Sequence, residues 1–124
     1  MLVLSISTAI YAQKALWYSK GFIVAKVYEE STLVDSMPMG KDVTIVYDSF
    51  FKNYKIGYTN IDKDRIVYEF DLLSAKDGII VVKDKISEDP FWVINDLDLS
   101  GEIIFIHFGT TQTAWLQIYG MQKE

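Results

Sequence analysis

His107 is the single histidine of this chain, and it stands in the run Ile103-Ile-Phe-Ile-His-Phe108. An imidazole acts as a general base only beside a nucleophile and an orienting group. Thr110, Thr111 and Thr113 follow it in sequence, but no Gly-x-Ser-x-Gly elbow presents a strained nucleophile. In a strand, His107 shares the parity of Ile103 and Phe105, which turns it inward or onto a cavity wall. A structural or ligand-facing role is therefore expected, not a catalytic one. Asp98 and Glu102 form the second candidate, because two carboxylates about 5–9 Å apart can cleave a glycosidic bond. The chain carries 17 acidic residues, so chance pairs are common and this one is weak. Asn60, Asp62 and Asp64 place oxygen atoms at alternate positions, like the opening of a calcium loop. Arg65 then replaces the turn glycine and Asp71 the closing glutamate, so an Asn/Asp-rich hairpin loop without metal is expected. Cysteine is absent, which removes thiolate nucleophiles and every cysteine-ligated metal site. Glycines nowhere form a phosphate-cradling loop. No catalytic residue, metal or cofactor is assigned.

Aromatic residues are the one excess: three tryptophans, eight tyrosines and seven phenylalanines, 15% of the chain. Most will build a small core, but ligand pockets and binding platforms also combine aromatic walls with few polar groups. Trp17, Phe50, Phe51, Trp92, His107 and Trp115 are the candidate ligand- or partner-binding residues. Phe50 and Phe51 are adjacent, so in a strand one of them must face outward.

The elements that carry these residues read as strands. Beyond residue 12, valine, isoleucine and threonine number 28 against 11 for leucine and alanine. β-Branched side chains lose rotamer freedom in helices and pack well on pleated surfaces. A first segment, Leu16 to Tyr28, bends at Gly21 with Ile23, Ala25 and Val27 inward. Glu29 to Gly40 is expected to be a connection, because Pro38 and Gly40 interrupt a ladder. Alternation then marks strands around Val43–Tyr47, Tyr54–Tyr58, Ile66–Leu72, Ile79–Ile86, Phe91–Ile94, Glu102–Phe108 and Ala114–Tyr119, with a turn at Asp77-Gly78. The expected core includes Ile45, Tyr47, Ile56, Ile66, Tyr68, Phe70, Ile80, Val82, Leu116 and Ile118. Ile104 and Ile106 join it with less support, since Ile103 and Phe105 are equally apolar on the other face.

About eight strands on short connections predict an all-β fold, a single small antiparallel barrel; a two-sheet β-sandwich is the alternative. Strand count and size resemble small calycin-like barrels, such as lipocalin-like domains of secreted bacterial proteins. The Gly-x-Trp motif of lipocalins is missing where the chain reads Leu16-Trp17-Tyr18.

Residues 1–12, Met-Leu-Val-Leu-Ser-Ile-Ser-Thr-Ala-Ile-Tyr-Ala, are uncharged and end in a small residue before Gln13. They resemble the second half of a signal peptide cleaved after Ala12, as in exported bacterial proteins of the Bacteroidetes type, although a basic n-region is missing. Residues 13–124 would then be the single β domain, in a periplasmic or extracellular setting. The alternation of Leu2, Leu4 and Ile6 with Ser5 and Ser7 also suits an edge strand. Twelve apolar residues are too few for a helix across about 30 Å of hydrocarbon, so no stable membrane span is expected. A formal net charge of -5 disfavours nucleic acid as a partner. The function expected is a secreted or periplasmic non-enzymatic binding protein for an apolar small molecule or another envelope or extracellular protein. An accessory or inhibitor-type interaction module is the alternative, and a small hydrolase using carboxylates or His107 comes after it.

Overall fold

β-Branched and aromatic residues at alternate positions, with Asn, Asp and Gly between the runs, extend this chain into a meander. The computed structural model describes residues 15–124. Along them run β1 (Ala15–Glu29), β2 (Thr32–Asp48), β3 (Asn53–Asn60), β4 (Arg65–Lys76), β5 (Ile79–Asp84), β6 (Pro90–Asp96), the short helical turn α1 (Leu97–Ser100), β7 (Glu102–Phe108), β8 (Thr113–Tyr119) and β9 (Gln122–Lys123). From β1 to β8 each strand pairs antiparallel with the next, and β1 pairs with β8 as well as β2. That double pairing closes eight strands into a barrel and excludes the sandwich. β9 is an extra strand beside Tyr18 and Ser19 of β1. Closure removes most of the unpaired edge that an open sheet would expose. The expected signal-peptide segment, residues 1–12, lies outside the described residues.

The expected connection from Glu29 to Gly40 is instead strand for most of its length. Glu30 and Ser31 take positive φ values of 47° and 71°, making a tight two-residue turn, and β2 starts at once. Pro38 fits because the β2–β3 ladder begins only at Gly40, so the missing N–H faces an open edge. The bend expected at Gly21 is present as register shifts on both sides of that residue. Asn95 to Gly101, between two expected strands, contains the end of β6 and the α1 turn.

The middle of the barrel is filled by side chains. Phe70 stacks on Phe105 with centroids 4.6 Å apart, and Phe91 meets Phe70 edge-on at 5.3 Å. Ile45, Ile56, Phe70, Val82 and Ile118 lie in this core as expected, and Tyr47, Ile66, Tyr68, Ile80 and Leu116 pack half-buried against it. On β7 the core face is Ile103 and Phe105, not Ile104 and Ile106. The latter two point outward and are nevertheless buried. Ile94 lies across from Ile104, and Trp92 and Trp115 flank Ile106, so outer neighbours shield them.

The outer wall has two unlike halves. Across β2–β4, Arg65 reaches over Gly57 and donates to the Asp42 carbonyl and the Thr44 hydroxyl, both at 2.8 Å, while Glu69 pairs with Lys85 at 3.3 Å. Across β5–β8 the wall is apolar: Ile79, Trp92, Ile94 and Phe108 are exposed around Ile104 and Ile106.

Candidate functional site

An up-and-down meander gathers the start of β1, the end of β2, the start of β3, the end of β6 and α1 at one rim. Inward-facing residues at those strand ends form a mouth of about 250 Å3 lined by Tyr18, Ile45, Tyr47, Tyr54, Ile80, Asn95, Leu97 and Asp98. Ile45 and Tyr54 are buried at its base, Leu97 closes one side, and Asn95 and Asp98 stand exposed at the rim. Tyr47 and Tyr54 hold their rings 4.6 Å apart at 49°. Tyr54 is braced edge-on against Phe105 at 5.8 Å, which ties the mouth to the packed core.

The polar groups are arranged by short-range hydrogen bonds. Asn95 Oδ1 accepts the Leu97 N–H at 3.1 Å, leaving its amide nitrogen to bond the Tyr54 hydroxyl. Tyr18 donates its hydroxyl to Asp98 Oδ1. That carboxylate, together with burial, pushes the Tyr18 hydroxyl up to about 12. Burial also raises Tyr54, against an opposing pull from Asn95. Tyr58, on the core side of β3, is raised by burial and by its bond to Tyr68.

These shifts set a pH dependence. Tyrosines in the unfolded chain ionise near pH 10, while in the folded chain they hold their protons to higher pH. Their contribution is therefore complete below about pH 10 and is lost as pH rises toward the folded value of Tyr18, about 12. The urea midpoint is expected to be level from pH 8 to about 9.5 and to fall beyond about 10. The fall should be shallower in Tyr18→Phe. A midpoint unchanged up to pH 11.5 would contradict this.

The residues singled out from sequence do not converge on the mouth. Trp17 faces outward on β1 and is exposed. Phe50 and Phe51 are exposed in the β2–β3 turn, edge to face at 5.1 Å, where Asp48 Oδ1 accepts both backbone N–H groups. Trp92 and Trp115 are brought together on the apolar outer wall, one on each side of Ile106. There Trp92 meets Phe108 at 5.3 Å, and Trp115 meets Tyr28 at 4.6 Å. Tyr28, Ile106, Phe108, Thr113 and Trp115 surround an open hollow of about 360 Å3.

His107 points inward near the opposite rim. Its Nδ1 donates to the Pro90 carbonyl at 3.0 Å, and its ring lies 5.3 Å from Phe91. The threonines that follow His107 in sequence do not supply that bond. His107→Gln is expected to lower stability by about 1–2 kcal/mol or less, the scale of one altered hydrogen bond. A loss above about 3 kcal/mol in urea unfolding would mean that the ring's packing matters more than its bond.

The other chemical motifs separate. Asp98 faces the mouth, whereas Glu102 accepts the Gln117 amide at 3.1 Å on the outer wall. Asn60 Oδ1 accepts the N–H groups of Asp62 and Asp64, both at 2.9 Å, which is a hairpin loop's own closure.

Tyr18, Tyr47, Tyr54 and Asn95 were not among the candidate site residues chosen from sequence, and Asp98 was considered only as a carboxylate partner of Glu102. A legible signal existed. Tyrosines on the core parity at strand ends need hydroxyl partners, and a meander places those particular ends on one rim. No family model matches the chain, and comparisons with curated proteins and with solved structures gave no match.

Proposed function

We propose that this chain is an exported, non-enzymatic binding protein whose barrel mouth takes a small, largely apolar molecule. The observation that carries the reading is the mouth itself: tyrosine rings and isoleucines around a concavity with a few convergent polar groups at its rim, above a packed core. Binding sites combine apolar walls with sparse, well-placed polar groups in this way, and barrel mouths are a recurrent location for them. Its volume of about 250 Å3 lies below that of sites for drug-sized ligands, so the occupant is small. The export half of the proposal rests on the uncharged segment ending at Ala12. A lipocalin-like manner of binding, with the ligand entering one end of the barrel, suits this geometry.

The test is a residue-resolved NMR titration of the full chain with 2-phenylethanol, a neutral probe of fitting size. Amide shifts are expected to cluster at Tyr18, Tyr54, Asn95 and Leu97, and to vanish in Ile80→Trp, where the larger side chain fills the mouth. Saturable shifts absent from that cluster would overturn the reading.

A second reading has its own observation. The wall formed by Trp92, Ile94, Phe108 and Trp115 is an apolar patch on a chain with a net charge of -5, and such patches mark contact sites for other proteins. Shifts confined to Trp92, Phe108 and Trp115 in the same titration would favour this partner-binding alternative.

A further inference from the structure

We propose that the ligand of the mouth is a small organic cation: a primary or substituted amine carried on an apolar body. This inference rests on the small-molecule reading of the mouth and specifies its chemistry. Asp98 is the one formally charged side chain among the described residues that line the mouth, and it is a carboxylate. Among the described residues the lining holds no lysine or arginine, and the ion pairs are Lys83–Glu88 and Lys85–Glu69, both elsewhere. Among the described residues the carboxylate therefore has no cation partner.

Its orientation is fixed rather than free. Tyr18 is buried and its hydroxyl donates to Oδ1, which holds the carboxylate at the rim while leaving acceptor capacity on both oxygens. Asn95 offers little competition as an acceptor, because its Oδ1 already takes the Leu97 N–H. The Tyr47 and Tyr54 hydroxyls can donate or accept, so the Asp98 charge sets the bias that an entering ligand meets, toward donors. An ammonium group, with donors and no acceptor, satisfies that bias; a carboxylate ligand would meet like charge.

The rings act in the same direction. The face of each tyrosine is the negative part of its quadrupole, and a cation near it is attracted. Tyr47 and Tyr54, 4.6 Å apart, present such rings beside the Tyr18–Asp98 pair. Ile45, Ile80 and Leu97 supply the apolar contact that a hydrocarbon or aryl body needs. The overall charge of -5 adds a weak, longer-range bias toward cations.

Three probes with closely matched bodies separate the possibilities when titrated into the full chain by NMR and calorimetry: phenethylamine, 2-phenylethanol and 3-phenylpropionate. Phenethylamine is expected to bind at the mouth about tenfold or more tighter than 2-phenylethanol, and the propionate most weakly. The amine-to-alcohol ratio should collapse to within about twofold in Asp98→Asn and should shrink as sodium chloride is raised in the unaltered protein. The salt series holds the test even if the variant does not fold. Equal binding of amine and alcohol at the mouth overturns the cation inference and leaves the cavity reading standing. A preference that persists in folded Asp98→Asn also overturns it. Absence of all three probes from the mouth overturns both readings.

Discussion

Replacing Phe70 with alanine is expected to cost about 3–5 kcal/mol, the largest single effect in this molecule. Phe70 is fully buried at the centre of the barrel, stacked on Phe105 and touching Phe91 edge-on, with Tyr68 6.3 Å away. Those rings belong to three different strands, β4, β6 and β7, and cannot collapse into the vacated space without breaking ladder bonds. The cost therefore includes a cavity as well as the lost transfer of the ring from water. A domain of this size has about 5–15 kcal/mol in total, so the variant should be only marginally folded. Its melting temperature is expected to fall by about 12 °C or more, measured by circular dichroism. Phe70→Leu, which keeps much of the volume, should lose far less. If alanine and leucine cost the same, the centre of the barrel would have to be loosely packed.

Gly101→Ala is expected to be the most damaging change near the mouth. Gly101 has φ of 70°, a conformation that costs an alanine about 1–2 kcal/mol. The added Cβ would also stand 2.6 Å from the Met121 carbonyl oxygen, which is backbone and cannot rotate aside. Met121 donates its N–H to the Gly101 carbonyl at 3.0 Å, and β9 follows directly. Gly101 also caps α1, its N–H bonding the Leu97 carbonyl at 3.1 Å, so its displacement moves the turn that carries Leu97 and Asp98. Gly78 provides the control, since its φ of 77° is similar but an added Cβ there meets nothing within 4 Å. Gly101→Ala should exceed Gly78→Ala by about 1 kcal/mol or more in urea unfolding, the collision alone. It should also weaken 2-phenylethanol binding. Equal losses at the two glycines would show that the Met121 contact is slack.

Local pattern determined a good deal of this protein. The excess of β-branched residues required strands, and the period-two alternation at Tyr54–Tyr58 and Ile66–Leu72 fixed which face of each strand would be buried. Asp77-Gly78 fixed a hairpin, with both residues at positive φ. Eight strands on short connections made a barrel the expected architecture. Where pattern was silent, the reason was physical. β7 is apolar on both parities, so alternation could not separate Ile103 and Phe105 from Ile104 and Ile106. The unpaired edge at Pro38 made a strand possible where a proline argues against one, and edges are a property of the assembled sheet.

The tertiary structure alone decided closure, stagger and convergence. Whether β1 would pair with β8 as well as β2 depends on long-range ladders, which no single strand encodes. Tyr18, Tyr47, Tyr54, Asn95 and Asp98 lie on β1, β2, β3, β6 and α1, and only the closed meander brings them to one rim. Closure likewise sent Trp92 and Trp115 to the outside and His107 to the inside near the opposite rim. Residue type told which side chains could line a site; the register between strands chose which of them meet.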